Sequence, residues 1–160
     1  MYEIIICPVK MLYRYAMEGE MSDVCAIVTS SFDIDTKKLS GFHSTLCLSF
    51  HDVVDNNDYR AFNSETAKKI VDYVRNLPKN LDTLFVCCDA GQSRSAAMAA
   101  AIMRANGGDD MCIWNSPKYC PNSLVYKTLC DCFGIMLTGC ELDNKQLINR
   151  QALENAINNQ

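Results

Sequence analysis

The chain has only two histidines, His43 and His51, and no Cys-x-x-Cys pair among its ten cysteines. That shortage of paired ligands argues against a structural zinc site. No run approaches the ~18 apolar residues of a membrane span, and no segment reads as a low-complexity linker. Basic residues are not in excess: 15 Lys plus Arg stand against 19 Asp plus Glu, a net charge of −4. Nucleic-acid backbones and anionic membranes both reward basic patches, so neither is expected as the main partner. The N-terminal MYEIIICPVK carries no leading basic region and is too short to read as a signal sequence. Ten cysteines in a chain read as unexported point to reduced thiols and a cytoplasmic location. Cys7, Cys25, Cys47 and Cys87 sit in apolar runs and read as small core residues.

At 160 residues the expectation is one domain over 1–160, long enough to bury roughly 70% of its unfolded surface. Strands are predicted at Glu3–Cys7, Val24–Val28, Thr45–Phe50 and Leu81–Cys87. Thr29-Ser30-Ser31 reads as the end of the second strand, and Met11 to Met21 as a short helix or a loop. A helix over Glu65–Leu77 is capped by Asn63 or Ser64 and followed by Pro78. The next, Arg94 to Ala105, is apolar nearly all round and stops at Asn106-Gly107-Gly108. Ser123–Phe133 and Asp143–Asn158 read as closing helices. The fold class expected is α/β: a central, mostly parallel sheet of four to five strands flanked by helices. A strand–helix–strand crossover over residues 45 to 87 places both strand ends on one edge of the sheet. The loops starting at His51-Asp52 and at Cys88 should therefore face each other.

The stretch Cys88-Asp89-Ala90-Gly91-Gln92-Ser93-Arg94-Ser95 carries the chemistry. A cysteine ends a buried strand and an arginine opens a helix, with five residues between them. Helix N-termini and nearby cations lower thiol pKa values to roughly 3.5–7.5 and so favour the nucleophilic thiolate. The N–H groups of the phosphate-binding loop, Asp89, Ala90, Gly91, Gln92, Ser93 and Arg94, suit the non-bridging oxygens of a phosphate. Arg94 suits bidentate binding of two of them, and Gly91 permits the sharp turn.

Cys88-x5-Arg94-Ser95 resembles the signature loop of the cysteine-dependent protein tyrosine phosphatases, in particular their small dual-specificity branch. The resemblance runs from about Leu46 to Leu129, over half the chain. It takes in Phe50-His51-Asp52, the helix ending near Leu77 and the Ala-rich helix. Pro121-Asn122-Ser123-Leu124-Val125-Tyr126-Lys127-Thr128-Leu129 resembles a Pro-Asn-x-x-Phe-x-x-x-Leu segment of that branch. The resemblance implies a two-step reaction without a metal or cofactor. In it Cys88 attacks phosphorus to form a phosphocysteine, and Arg94 binds the phosphoryl group. Asp52 protonates the leaving oxygen and then activates water, and Ser95 stabilises the departing thiolate. The family usually has His before the nucleophile; here Cys87 stands in its place.

The loop after the third strand offers Asp52, Asp55, Asp58 and His51 as the acid. Asp52 is chosen because it directly follows the strand and matches the family's place, 36 residues before Cys88. Asp55 is the runner-up. The substrate expected is a phosphomonoester, either small or on a phosphorylated protein (Tyr, Ser or Thr), because Asp89, Ala90, Gln92 and Ser93 bring no positive charge. The alternatives are a catalytically silent phosphate-binding module and a thiol-based arsenate reductase or sulfurtransferase.

Overall fold

The computed structural model describes residues 2–19 and 21–159, so Met1, Gln160 and Glu20, the last lying within the predicted Met11–Met21 element, fall outside the described residues. Four strands, β1 (Glu3–Pro8), β2 (Met21–Ser30), β3 (Phe42–Ser49) and β4 (Thr83–Cys88), form one sheet in the order β1-β4-β2-β3. Every pairing is parallel, so all four carboxyl ends share one edge. Helices α1 (Val9–Met17), α2 (Ser64–Arg75), α3 (Arg94–Ala105), α4 (Met111–Trp114), α5 (Ser123–Phe133) and α6 (Gly139–Asn158) complete the α/β architecture.

The side-chain period of two along the strands divides the interior into two cores. Cys25, Ile27, Leu84 and Val86 face α2, α3 and α5, together with Ile70, Met98 and Leu129. Ala26, Val28, Phe85 and Cys87 face the other way, where Leu12 of α1, Leu39 of the 3-10 turn Thr36–Leu39 and Phe42 cover them. β4 is central and buried at every residue, as its unbroken apolar run predicts. In α3, Ser95 to Ile102 are all fully buried, and the alanines let it lie close to the sheet.

Several boundaries differ from the sequence reading. The Met11–Met21 segment divides between α1, which already begins at Val9, and the first residue of β2. β2 runs on through Thr29 and Ser30, because the ladder is paired by backbone groups, which hydroxyl residues supply as readily as apolar ones. β3 starts at Phe42 and stops at Ser49; Phe50 leaves the ladder, and its carbonyl accepts from Arg94 instead. β4 starts at Thr83, since Leu81 is held in a turn by its N–H to the Pro78 carbonyl. Asn63 is the residue that caps α2, its side chain accepting from the Thr66 N–H. The final helix begins four residues before Asp143, capped by Thr138 on the Glu141 N–H. The short α4 had no expectation attached to it.

The crossover from β3 through α2 to β4 joins parallel strands, but β2 lies between them. Their ends still share an edge, so the predicted facing of the two loops holds (below). Among the described residues no helix is long and apolar enough to cross a membrane.

Candidate active site at the carboxyl edge of the sheet

Cys88 closes β4 on the face that also carries Leu84 and Val86, so its side chain points toward α3. It is 2% exposed, and its Sγ lies 3.0 Å from the Ser95 hydroxyl in the first turn of that helix. Gly91 turns the loop with φ +68°. A Cβ there would lie 2.5 Å from the Pro8 backbone nitrogen and 2.6 Å from the Cys7 carbonyl carbon. Gly91→Ala is therefore expected to cost about 1–3 kcal/mol from the left-handed backbone alone, with displacement of the loop in addition. The midpoint of urea unfolding checks it; an unchanged midpoint would mean that the loop and β1 are not packed this closely.

The loop's donors are unspent. Among the described residues the N–H groups of Ala90, Gly91, Gln92 and Ser93 donate no hydrogen bond. Ser93 occupies the N-cap of α3 yet makes no capping bond. Its hydroxyl donates instead to Asp52 Oδ1, at 2.8 Å. The first turn of α3 thus keeps its orphan N–H groups and the positive end of its dipole directed at the loop.

Arg94 is 4% exposed. One terminal nitrogen, Nη1, donates to the Phe50 carbonyl at 2.8 Å and the Ser31 hydroxyl at 3.1 Å. The other donates to Asp89 Oδ2 at 2.6 Å. Its Nε–H has no partner among the described residues. A buried guanidinium donor without an acceptor is costly, so this atom marks where an oxyanion would be welcome. The Asp89 carboxylate also accepts from the Ser30 hydroxyl and the Ser31 N–H. Partial burial alone would raise Asp89; these two bonds and Arg94 outweigh it and hold the carboxyl below its ordinary value. Asp89 is thus bound up with Arg94.

Across the mouth, Asp52 Oδ1 also accepts from Asn122 Nδ2 at 2.8 Å. The same Asn122 amide donates to the Val53 carbonyl at 3.1 Å, while its Oδ1 accepts from Val125 N and caps α5. Asn122 thus ties the Asp52 loop to α5 with its side-chain amide fully used, and among the described residues Asp52 Oδ2 accepts no hydrogen bond. Asp55 instead accepts from the backbone and side chain of Asn57, and Asp58 from the Arg60 N–H; both shape their own loop. His51 closes that loop through its N–H to the Arg60 carbonyl. A groove of about 590 Å³ runs along this side, lined by Asp52, Asp55, Ser93, Cys120 and Asn122 among others. Met11 and Tyr15 of α1 line a separate cavity beside Gly91 and Gln92.

The structure places the predicted residues in three separate hydrogen-bonded sets around the loop: Cys88 with Ser95, Arg94 with Asp89, and Ser93 with Asp52. Sequence reasoning missed two supports. Ser30 and Ser31 do more than end a strand: three consecutive hydroxyl residues at a carboxyl edge are a signal for anchoring polar groups. Asn122 was read as part of a segment, and only the folded chain shows its amide on Asp52. Among the described residues, no three His, Cys, Asp or Glu side chains converge as metal ligands do.

No protein-family model matches the chain, and no curated protein matches it. In fold it is similar to a crystal structure of PTPMT1 in complex with PI(5)P: TM-score 0.47, 15% identity, covering 96% of this chain and 94% of that one. It is similar also to a second PTPMT1 structure (TM-score 0.45, 16% identity, 98% and 95% covered) and to Tk-PTP in the active form (0.40, 12%, 92% and 90%).

Proposed function

We propose that the protein is a cysteine-dependent phosphatase that hydrolyses phosphomonoesters through a phosphocysteine intermediate. The observation that carries the proposal is the loop itself. A buried thiol ends the strand that leads into a loop whose four N–H groups, like the Arg94 Nε–H, have no acceptor among the described residues, with a tethered carboxylate across the mouth. These donors match three phosphoryl oxygens as charge spreads over them in the transition state. Cys88 attacks phosphorus in line with the departing oxygen, and Asp52, through Oδ2, delivers a proton to that oxygen. With the leaving group gone, Asp52 takes a proton from water attacking the phosphocysteine. The Ser95 hydroxyl donates to the Cys88 sulfur as it becomes a thiolate again.

The substrate we propose is a phosphorylated protein side chain or a small phosphomonoester. With Asp89 paired to Arg94, the loop holds little positive charge beyond what one phosphoryl group takes up, which does not favour polyanions.

Hydrolysis of aryl phosphates in reductant, with and without vanadate, tests the reading. The native protein should turn over p-nitrophenyl phosphate and be inhibited by vanadate. Vanadate binding with no turnover would move the reading to a silent phosphate module. Asp52→Asn should lower kcat by about a hundredfold or more, and the loss should be larger for phenyl phosphate than for p-nitrophenyl phosphate, whose better leaving group needs its proton less. Asp55→Asn should leave both rates near native values. The reverse ranking of the two variants would reassign the acid.

A further inference from the structure

Cys7 of β1 and Cys87 of β4 are direct partners in the parallel register, and their sulfurs lie 3.4 Å apart. Alternation along β4 sends Cys87 to the face opposite Cys88, so the adjacent thiols of the sequence serve different surroundings. Cys87 is wholly enclosed, whereas Cys7 keeps 7% of its surface and lines a cavity of about 380 Å³. That cavity also presents Gln92 and Lys118 and lies against Gly91 of the phosphate-binding loop.

We propose that Cys7 and Cys87 form a dithiol site that peroxides oxidise reversibly to a disulfide. Strands about 4.8 Å apart place the Cα atoms of an in-register pair inside the roughly 4.4–6.8 Å that a disulfide spans. The two thiols also differ in the required sense. Contact with Cys87 lowers the Cys7 thiol against the opposing effect of burial, and the Lys118 charge adds to the lowering. Burial pushes the Cys87 thiol up. Cys7 is thus the thiol that meets the oxidant, and Cys87 the one that resolves it.

In the first step the Cys7 sulfur attacks one peroxide oxygen and the O–O bond breaks. Cys7 becomes a sulfenic acid, and the other oxygen leaves as water or an alcohol with the thiol proton. In the second step the Cys87 sulfur attacks the Cys7 sulfur and the S–O bond breaks. The hydroxyl leaves with the Cys87 proton as water. Two thiols have then lost two electrons and two protons, and one peroxide has been reduced. The site needs no nucleophile at position 88, so it stands apart from the phosphatase reading.

The test treats native and Cys88→Ser protein with hydrogen peroxide, blocks remaining thiols and maps tryptic peptides. The expected product joins residues 1–10 to residues 80–94, forms in both proteins, disappears on dithiothreitol treatment and is missing from Cys7→Ala. Recovery of Cys7 and Cys87 fully alkylated while the exposed Cys112, Cys120 and Cys140 oxidise would overturn the proposal. So would a cross-link between Cys87 and Cys88 in place of Cys7. The Cys88→Ser map, in which residues 80–94 hold Cys87 as their one cysteine, decides the matter even if Cys7→Ala fails to fold.

Discussion

Replacing Cys88 with serine is expected to remove phosphomonoester turnover, by at least about a thousandfold in kcat. The substitution exchanges sulfur for oxygen in a site 2% exposed and keeps a partner for the Ser95 hydroxyl, so the fold should be retained. What is lost is the sulfur nucleophile. A serine oxygen attacks only when a base takes its proton, and among the described residues no general base lies in hydrogen-bond contact with position 88 to do so. The loop N–H groups and Arg94 Nε remain, so the variant should still bind vanadate or phosphate, which calorimetry would show. Binding without turnover separates the nucleophile from the cradle. Turnover at the native rate in Cys88→Ser would end the phosphocysteine mechanism.

The second large effect is on stability and lies away from the loop. Asp110 is 4% exposed and its carboxylate collects three donors: Lys145 Nζ at 2.7 Å, Tyr126 OH at 2.6 Å and Trp114 Nε1 at 3.1 Å. Lys145 is itself buried, so Asp110→Ala would leave an unpaired ammonium inside the protein and strip Tyr126 and Trp114 of their acceptor. Breaking a buried pair on one side costs about 3–5 kcal/mol, a large share of the roughly 5–15 kcal/mol by which a domain is stable. The urea midpoint should fall accordingly, with little change in the denaturant slope. The Asp110→Ala, Lys145→Met double variant should be more stable than Asp110→Ala alone, because no charge is stranded. A midpoint within experimental scatter of native for Asp110→Ala would show that the ion pair is dispensable.

This network also reaches the site. In α6, Asn149 Nδ2 donates to the carbonyls of Trp114 and Tyr119, holding down the chain that follows α4. From that chain the Cys120 N–H donates to the Gln92 carbonyl and the Asn122 N–H to the Ser93 carbonyl. The C-terminal helix, for which sequence reasoning had no role beyond closing the core, thus braces the outer side of the phosphate-binding loop. Asp110→Ala should consequently lower activity at temperatures where the protein is still folded.

The local grammar of the chain determined a good deal. The apolar run before Cys88, the single glycine inside the loop and the Ala-rich helix beginning at Arg94 are each short-range signals, and all three stand where they were read. The facing of the Asp52 and Cys88 loops followed from crossover geometry and is met by the Ser93–Asp52 bond. Asp52 was preferred to Asp55 because it sits nearest a strand end, and of the two it is the one bonded to the loop. What the sequence could not determine depends on contacts between residues far apart in the chain. Nothing near Cys87 announces Cys7 as its neighbour; that needs β1 to insert beside β4 in a particular register. Nothing near Asp89 says that it will neutralise Arg94 and anchor to Ser30 rather than repel an incoming anion. Asn122 on Asp52 and Lys145 under Asp110 are pairings across 70 and 35 residues. Periodicity and capping report on a residue's immediate neighbours, whereas the partner of a buried charge or thiol is chosen only when the layers close and each polar group must be satisfied.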